Sequence, residues 1–316
     1  MSMHTRPDVP RDVRVATARG ERRGGGPLFE FVRRYPLISF YLLACGASWF
    51  AWMPYVLSND GLGLEDFSFP KLLGDAQLLG VLPGAYIGPL GAALVVTWIN
   101  GGREGLRDWR RRLFKLRVKW YWYPIVLAGV PITLIVGTLL TPGAADGMRL
   151  PPAMVLVAFL PALLLQVVTT GLAEEPGWRD FALPLMQRRL GPAAGTAVLG
   201  VVWAVWHFPL FFTGWSLAGP RPDNVNWYVT VGVFVLMCIA ISYLITWVFN
   251  HTEESLPVAL VLHAANNTVA SIVLPEMFPN AAESVMVTGG AIGYGIIAAV
   301  LLIATRGRLG YTGPRD

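Results

Sequence analysis

Ala153-Met-Val-Leu-Val-Ala-Phe-Leu-Pro-Ala-Leu-Leu-Leu-Gln-Val-Val-Thr-Thr-Gly-Leu-Ala-Glu174-Glu175-Pro-Gly-Trp-Arg179 runs from Ala153 to Ala173 without a single charge, then places three in six residues. A helix needs about 20 mainly apolar residues to cross a bilayer, so this stretch reads as a spanning segment. Ionisable side chains at membrane depth cost about 2.5–3.5 kcal/mol each on insertion scales, so they are rare unless a site needs them. Two glutamates and an arginine at the end of such a run therefore bear on both fold and function.

The rest of the chain repeats the apolar pattern. Of its 316 residues, 54% are hydrophobic and 14% charged, with mean hydropathy +0.51. These values exclude an ordinary soluble domain and a disordered chain. Spanning segments are expected at roughly 36–57, 77–99, 121–141, 153–175, 193–213, 228–249, 256–275 and 286–305. The predicted fold class is an all-α polytopic membrane protein of about eight transmembrane helices. Residues 1–34 are Arg-, Gly- and Pro-containing, without the apolar core of a signal peptide, and are expected to form a mobile basic tail. Residues 35–150 then hold three helices, 151–275 a catalytic core in spans four to seven, and 276–316 the last span and a tail.

Lysine and arginine set the direction. With the amino terminus inside, the tail holds eight, Arg103–Lys119 eight, Arg179–Arg189 three and the carboxyl tail three, so 22 of 25 lie on one side. Both termini are then expected in the cytoplasm. The net charge of +5 follows from this topology and calls for no nucleic-acid partner. Leu106, Trp109, Leu113 and Leu116 recur at helical spacing among the arginines of 103–119, which suits either a helix in the headgroup plane or a solvated basic loop. Cys45 and Cys238 lie inside apolar runs and read as packing residues.

Two further apolar runs carry histidine. His207 ends Trp203-Ala-Val-Trp-His207, and His263 opens His263-Ala-Ala-Asn-Asn267. Each alone has a bland reading: a satisfied core histidine, or a charged helix end for Glu174, Glu175 and Arg179. Together they sit on the fourth, fifth and seventh spans. At ~1.5 Å per residue, Glu174 lies ~21 Å from Arg188, His207 ~22 Å beyond Pro192 and His263 ~14 Å beyond Glu254. The three can share one depth.

Glu175 and Arg179, four apart with the acid first, favour a same-face pair that holds the helix. Glu174 is turned about 100° away and left free for chemistry. His263 and Asn267 share a face, whereas Asn266 points elsewhere and reads as packing or capping. Peptide hydrolysis needs an activated water and a stabiliser for the oxyanion. Glu174 with His207 can supply the first, and His263 with Asn267 the second. Alternatively, Glu174, His207 and His263 can hold a zinc ion with an open position. A catalytically silent scaffold and a proton-coupled transporter use the same residue types, but no internal repeat supports a transporter.

At these residues the chain resembles the CAAX-protease and bacteriocin-processing (Abi) family of intramembrane proteases. Its pattern is Glu-Glu-x-x-x-Arg, an aromatic-x-x-x-His, then His-x-x-x-Asn, and the resemblance covers about residues 155–270. It implies an all-helical intramembrane endopeptidase, either zinc-dependent or a metal-independent glutamate protease. A membrane-associated peptide or protein would be its substrate, the bilayer its surroundings and a bacterial cytoplasmic membrane its location. The chain departs from the pattern twice: Trp203 stands where phenylalanine is usual, and Asp180 where glycine is common, adding a charge beside the Glu175–Arg179 pair.

Overall fold

The computed structural model describes residues 26–72, 78–116, 118–216, 218–223 and 225–313. Among them there is no β-strand. A short helix, α1 (Pro27–Arg34), precedes eight helices long and apolar enough to cross a membrane: α2 (Pro36–Leu57), α3 (Leu78–Leu113), α4 (Trp122–Leu139), α5 (Ala153–Leu190), α6 (Pro192–Phe212), α7 (Val225–His251), α8 (Leu256–Met277) and α9 (Glu283–Ala304). The chain is an all-α polytopic membrane protein.

Residues 1–25 of the expected tail lie outside the described residues. Pro27–Arg34 departs from the expectation of a mobile tail, because it is helical: Val32 is buried and Arg33 Nε donates to Ile99 O at 3.4 Å. The basic segment is likewise more ordered than a solvated loop. Its residues 103–113 continue α3 after a kink at Gly102, where φ 58 and ψ −145 call for a residue without a side chain. Trp109 is buried. Lys115 Nζ donates to Glu253 O at 2.6 Å, tying the segment to the α7–α8 turn.

The exposed face matches lipid rather than water. In the charge-free stretch of α5, residues 153–173, Met154, Leu156, Val157, Leu160, Leu164 and Val168 are all exposed. Such a surface is stable only against hydrocarbon or another protein. Inside the bundle, small residues allow close backbone approach, as expected where lipid supplies no hydrophobic drive between helices. Gly137 of α4 packs against the backbone of Gly289 and Gly293 in α9, and Gly200 of α6 against Ile239 of α7.

One turn positions the site. Gly191 has φ 76, a conformation glycine adopts freely, and Pro192 begins α6 at once. This single-residue turn folds α6 back along α5. Glu174 stands 17 residues before Gly191 and His207 16 after it. Both therefore lie ~25 Å from the turn if the rise is helical, on facing walls. The Thr196–Thr246 hydroxyl bond, at 3.1 Å, and Tyr243 O–H donating to Ala193 O pin α6 to α7.

Candidate active site

α5 passes through Glu174 without breaking, although Pro161, Pro176 and Pro184 interrupt its hydrogen-bond ladder. Val167–Gly171 and Pro176–Ala182 are wound as wider π turns on either side of the four-residue α stretch Leu172–Glu175. Such turns re-aim the side chains next to them and often occur at functional sites. The widening accommodates Pro176, and Pro184 sits in the first turn of Leu183–Leu190, where its missing N–H costs little.

Glu174, His207, His263 and Asn267 line one partly open cavity of about 120 Å³, together with Asn266 and Cys238. Trp52, Trp206, Trp215 and Phe234 supply its apolar wall. The structure thus brings together the four residues that the sequence offered for chemistry. The Trp203 ring centroid lies 5.8 Å from that of His207 and 5.4 Å from that of His263, which bounds the two imidazoles to about 11 Å of each other.

The tautomers follow from fixed partners. His207 Nδ1 is 2.8 Å from Trp203 O, a carbonyl that only accepts, so Nδ1 carries the proton and Nε2 is left for the cavity. Trp206, Trp215 and Phe234 pack around the ring at centroid distances of 4.5, 5.6 and 5.1 Å. They hold its orientation without competing for its nitrogens. His263 Nδ1 is 2.8 Å from Glu175 Oε1, so this imidazole is oriented by a carboxylate.

Glu175 therefore does more than the sequence suggested. Its Oε2 faces Arg179 Nε at 3.3 Å while Oε1 holds His263. Both Glu175 and Arg179 are fully buried. The ion pair is in place, but the guanidinium forms no hydrogen bond among the described residues, and it lies 4.8 Å from the Trp203 ring centroid. Arg179, grouped with the cytoplasmic arginines by sequence, is instead a core residue. Two carboxylates face one guanidinium and one imidazole, so this cluster is neutral when both His263 nitrogens carry protons.

Trp203 and Asn266 were undervalued by sequence. Trp203 entered only as a stand-in for phenylalanine, yet its Nε1–H donates to Glu174 Oε2 at 2.7 Å. Its carbonyl holds His207 and its face meets Arg179. A phenylalanine could not donate that bond, so the departure from the usual residue was the available signal. Trp203→Phe is expected to lower kcat about tenfold with KM unchanged, because a hydrogen bond to a charged group contributes about 1.5–3 kcal/mol, only part of it specific to the transition state. Steady-state kinetics of the two proteins check this. Asn266, read as packing, lines the cavity and donates to Asn267 Oδ1 at 2.9 Å.

Asp180 does not disturb the Glu175–Arg179 pair as its charge suggested. Its two oxygens take Arg112 Nε and Nη2 at 2.6 and 3.0 Å, a fork that neutralises it and ties the basic helix 103–113 to α5.

A zinc site would need three donors converging on one point. Among the described residues no three His, Cys, Asp or Glu side chains are gathered in that way. One of the Glu174 oxygens is already engaged by Trp203. Among the described residues Glu174, His207 and His263 are thus not gathered into a ready-made ion site.

Fold and cavity together define a polytopic helical membrane protein with acid and imidazole groups inside its helix bundle. Residues 156–269 match the family model for Rce1-like proteins, described as type II CAAX prenyl endopeptidase Rce1-like. CAAX prenyl protease 2 of Methanococcus maripaludis is 26% identical over 215 residues, which cover 66% of this chain and 76% of that protein. Over this segment the chain is similar to proteins described as CAAX prenyl endopeptidases. The matched segment contains Glu174, His207, His263 and Asn267.

Proposed function

We propose that this protein is a metal-independent intramembrane endopeptidase in which Glu174 activates the hydrolytic water. The observation that carries the reading is the division of labour between adjacent glutamates. Glu175 is consumed by Arg179 and His263, whereas among the described residues Glu174 keeps one oxygen free of hydrogen bonds at the cavity. Glu174 takes a proton from water as the oxygen attacks the peptide carbonyl. His207 Nε2 accepts from the same water and orients it. Negative charge then develops on the carbonyl oxygen, where His263 Nε2–H and Asn267 Nδ2–H donate to it. Collapse of this intermediate returns the Glu174 proton to the leaving amine.

The substrate is a peptide or protein held at the membrane, because the cavity lies inside the helix bundle. The arginine-rich ends mark the cytoplasmic side, so both termini face the cytoplasm. The matched archaeal relative carries a CAAX prenyl protease name, which makes a prenylated CAAX peptide the first probe.

The purified protein in liposomes is expected to cleave an internally quenched peptide of this kind. Its activity is expected to survive o-phenanthroline and EDTA, with no stoichiometric zinc by elemental analysis. Loss of activity with chelator, restored by zinc, would overturn the metal-independent mechanism. An unprenylated copy of the peptide tests whether the lipid is required.

A further inference from the structure

We propose that Tyr294, on the last spanning helix, is a positioning residue for the oxyanion site: acting through Asn266, its hydroxyl sets which end of the Asn267 amide is free to donate. The inference rests on the reading of Asn267 as an oxyanion donor.

Tyr294 is fully buried, and its O–H donates to Asn266 Oδ1 at 2.8 Å. Asn266 Nδ2 donates in turn to Asn267 Oδ1 at 2.9 Å. A carboxamide has one accepting and one donating end. With Asn266 Oδ1 occupied by the phenol proton, its Nδ2 is the end left for Asn267. With Asn267 Oδ1 occupied, its Nδ2 is the end left to donate. Both asparagines line the cavity.

Without Tyr294 the pair has no reason to keep this sense. Two neighbouring amides can flip together and exchange donors for acceptors, and a carbonyl oxygen turned toward a developing oxyanion repels it. In the flipped arrangement the buried tyrosine proton would lose the one hydrogen-bond acceptor the described residues give it. That penalty selects the productive orientation. The tyrosine is itself well held: the adjacent Gly293 lets α9 lie against the α4 backbone at Thr133. Tyr294 lies outside residues 156–269, so the relay recruits a helix beyond the matched segment.

The test uses the full chain in liposomes with the quenched prenylated CAAX peptide. Tyr294→Phe keeps the ring and removes only the hydroxyl. It is expected to lower kcat about tenfold with KM unchanged. Asn267→Ala alone is expected to lose about 100-fold, as for removal of one oxyanion donor. Adding Tyr294→Phe to Asn267→Ala is expected to cost nothing more, since the relay has lost its target. An equal loss in both backgrounds, a change confined to KM, or an unchanged kcat in Tyr294→Phe would overturn the proposal. Glu174→Gln measured alongside separates the two readings. If it cleaves at the wild-type rate, the proposed function falls and the relay with it. If it is inactive while Tyr294→Phe is normal, the relay alone falls.

Discussion

Glu174→Gln is expected to abolish cleavage while the folded protein accumulates in the membrane as well as the parent. Glutamine fills the same space, and its side-chain oxygen can still accept from Trp203 Nε1, which lies 2.7 Å from the carboxylate. What is lost is basicity. General-base catalysis contributes about 10²–10⁴-fold, so residual cleavage should fall to about 1% or below. The ion pair does not collapse, because Glu175 still faces Arg179. Initial rates on the quenched peptide, with membrane abundance and thermal melting of the same samples, decide the matter. Wild-type cleavage by this variant would remove Glu174 from the mechanism. An inactive variant that also fails to accumulate would make the residue structural.

The neighbouring glutamate is expected to behave in the opposite way. Glu175→Ala leaves a fully buried guanidinium without its ion-pair partner and His263 without its Nδ1 partner. Removing one member of a buried pair typically costs about 3–5 kcal/mol, because the other charge stays desolvated. Low membrane abundance and a much reduced melting temperature are therefore expected. The double variant Glu175→Ala/Arg179→Met is expected to recover much of the loss, since it removes the stranded charge. It should stay poorly active, because His263 is no longer oriented. If Glu175→Ala were as stable as the parent, the electrostatic account of this pair would be wrong. The contrast between two side chains one peptide bond apart is the sharpest check on the site.

Why were the two glutamates separable before any coordinates? The helical rotation of about 100° per residue points neighbours in different directions, and an acid four residues before an arginine is a standard pair. That reasoning located the ion pair but not its second task. The Glu175–His263 bond joins residues 88 apart in sequence, on helices whose rotation about their own axes no local pattern fixes. Trp203 shows the same limit. Its position four residues before His207 was legible, whereas the aim of its indole N–H depends on how α6 sits against α5. Asn266 was misplaced for a related reason: the helical wheel separates it from Asn267, but a side-chain amide can reach across that separation.

The basic segment failed in a different way. Its periodicity left a surface helix and a loop equally open. The choice was made by contacts that lie far along the chain, chiefly Arg112 with Asp180 and Lys115 with Glu253.

Sequence alone determined the number of spans, because crossing hydrocarbon demands runs of about 20 apolar residues and admits few alternatives. It also determined the candidate acid and imidazoles, because a charge inside such a run is too costly to be incidental. Tertiary structure decided everything that depends on relative rotation and register of the helices: which glutamate is free, which nitrogen of each histidine faces the cavity, and what stands behind Asn267. Those are orientations of short-range, directional bonds between distant segments. The hydrophobic pattern that places the helices carries no information about them.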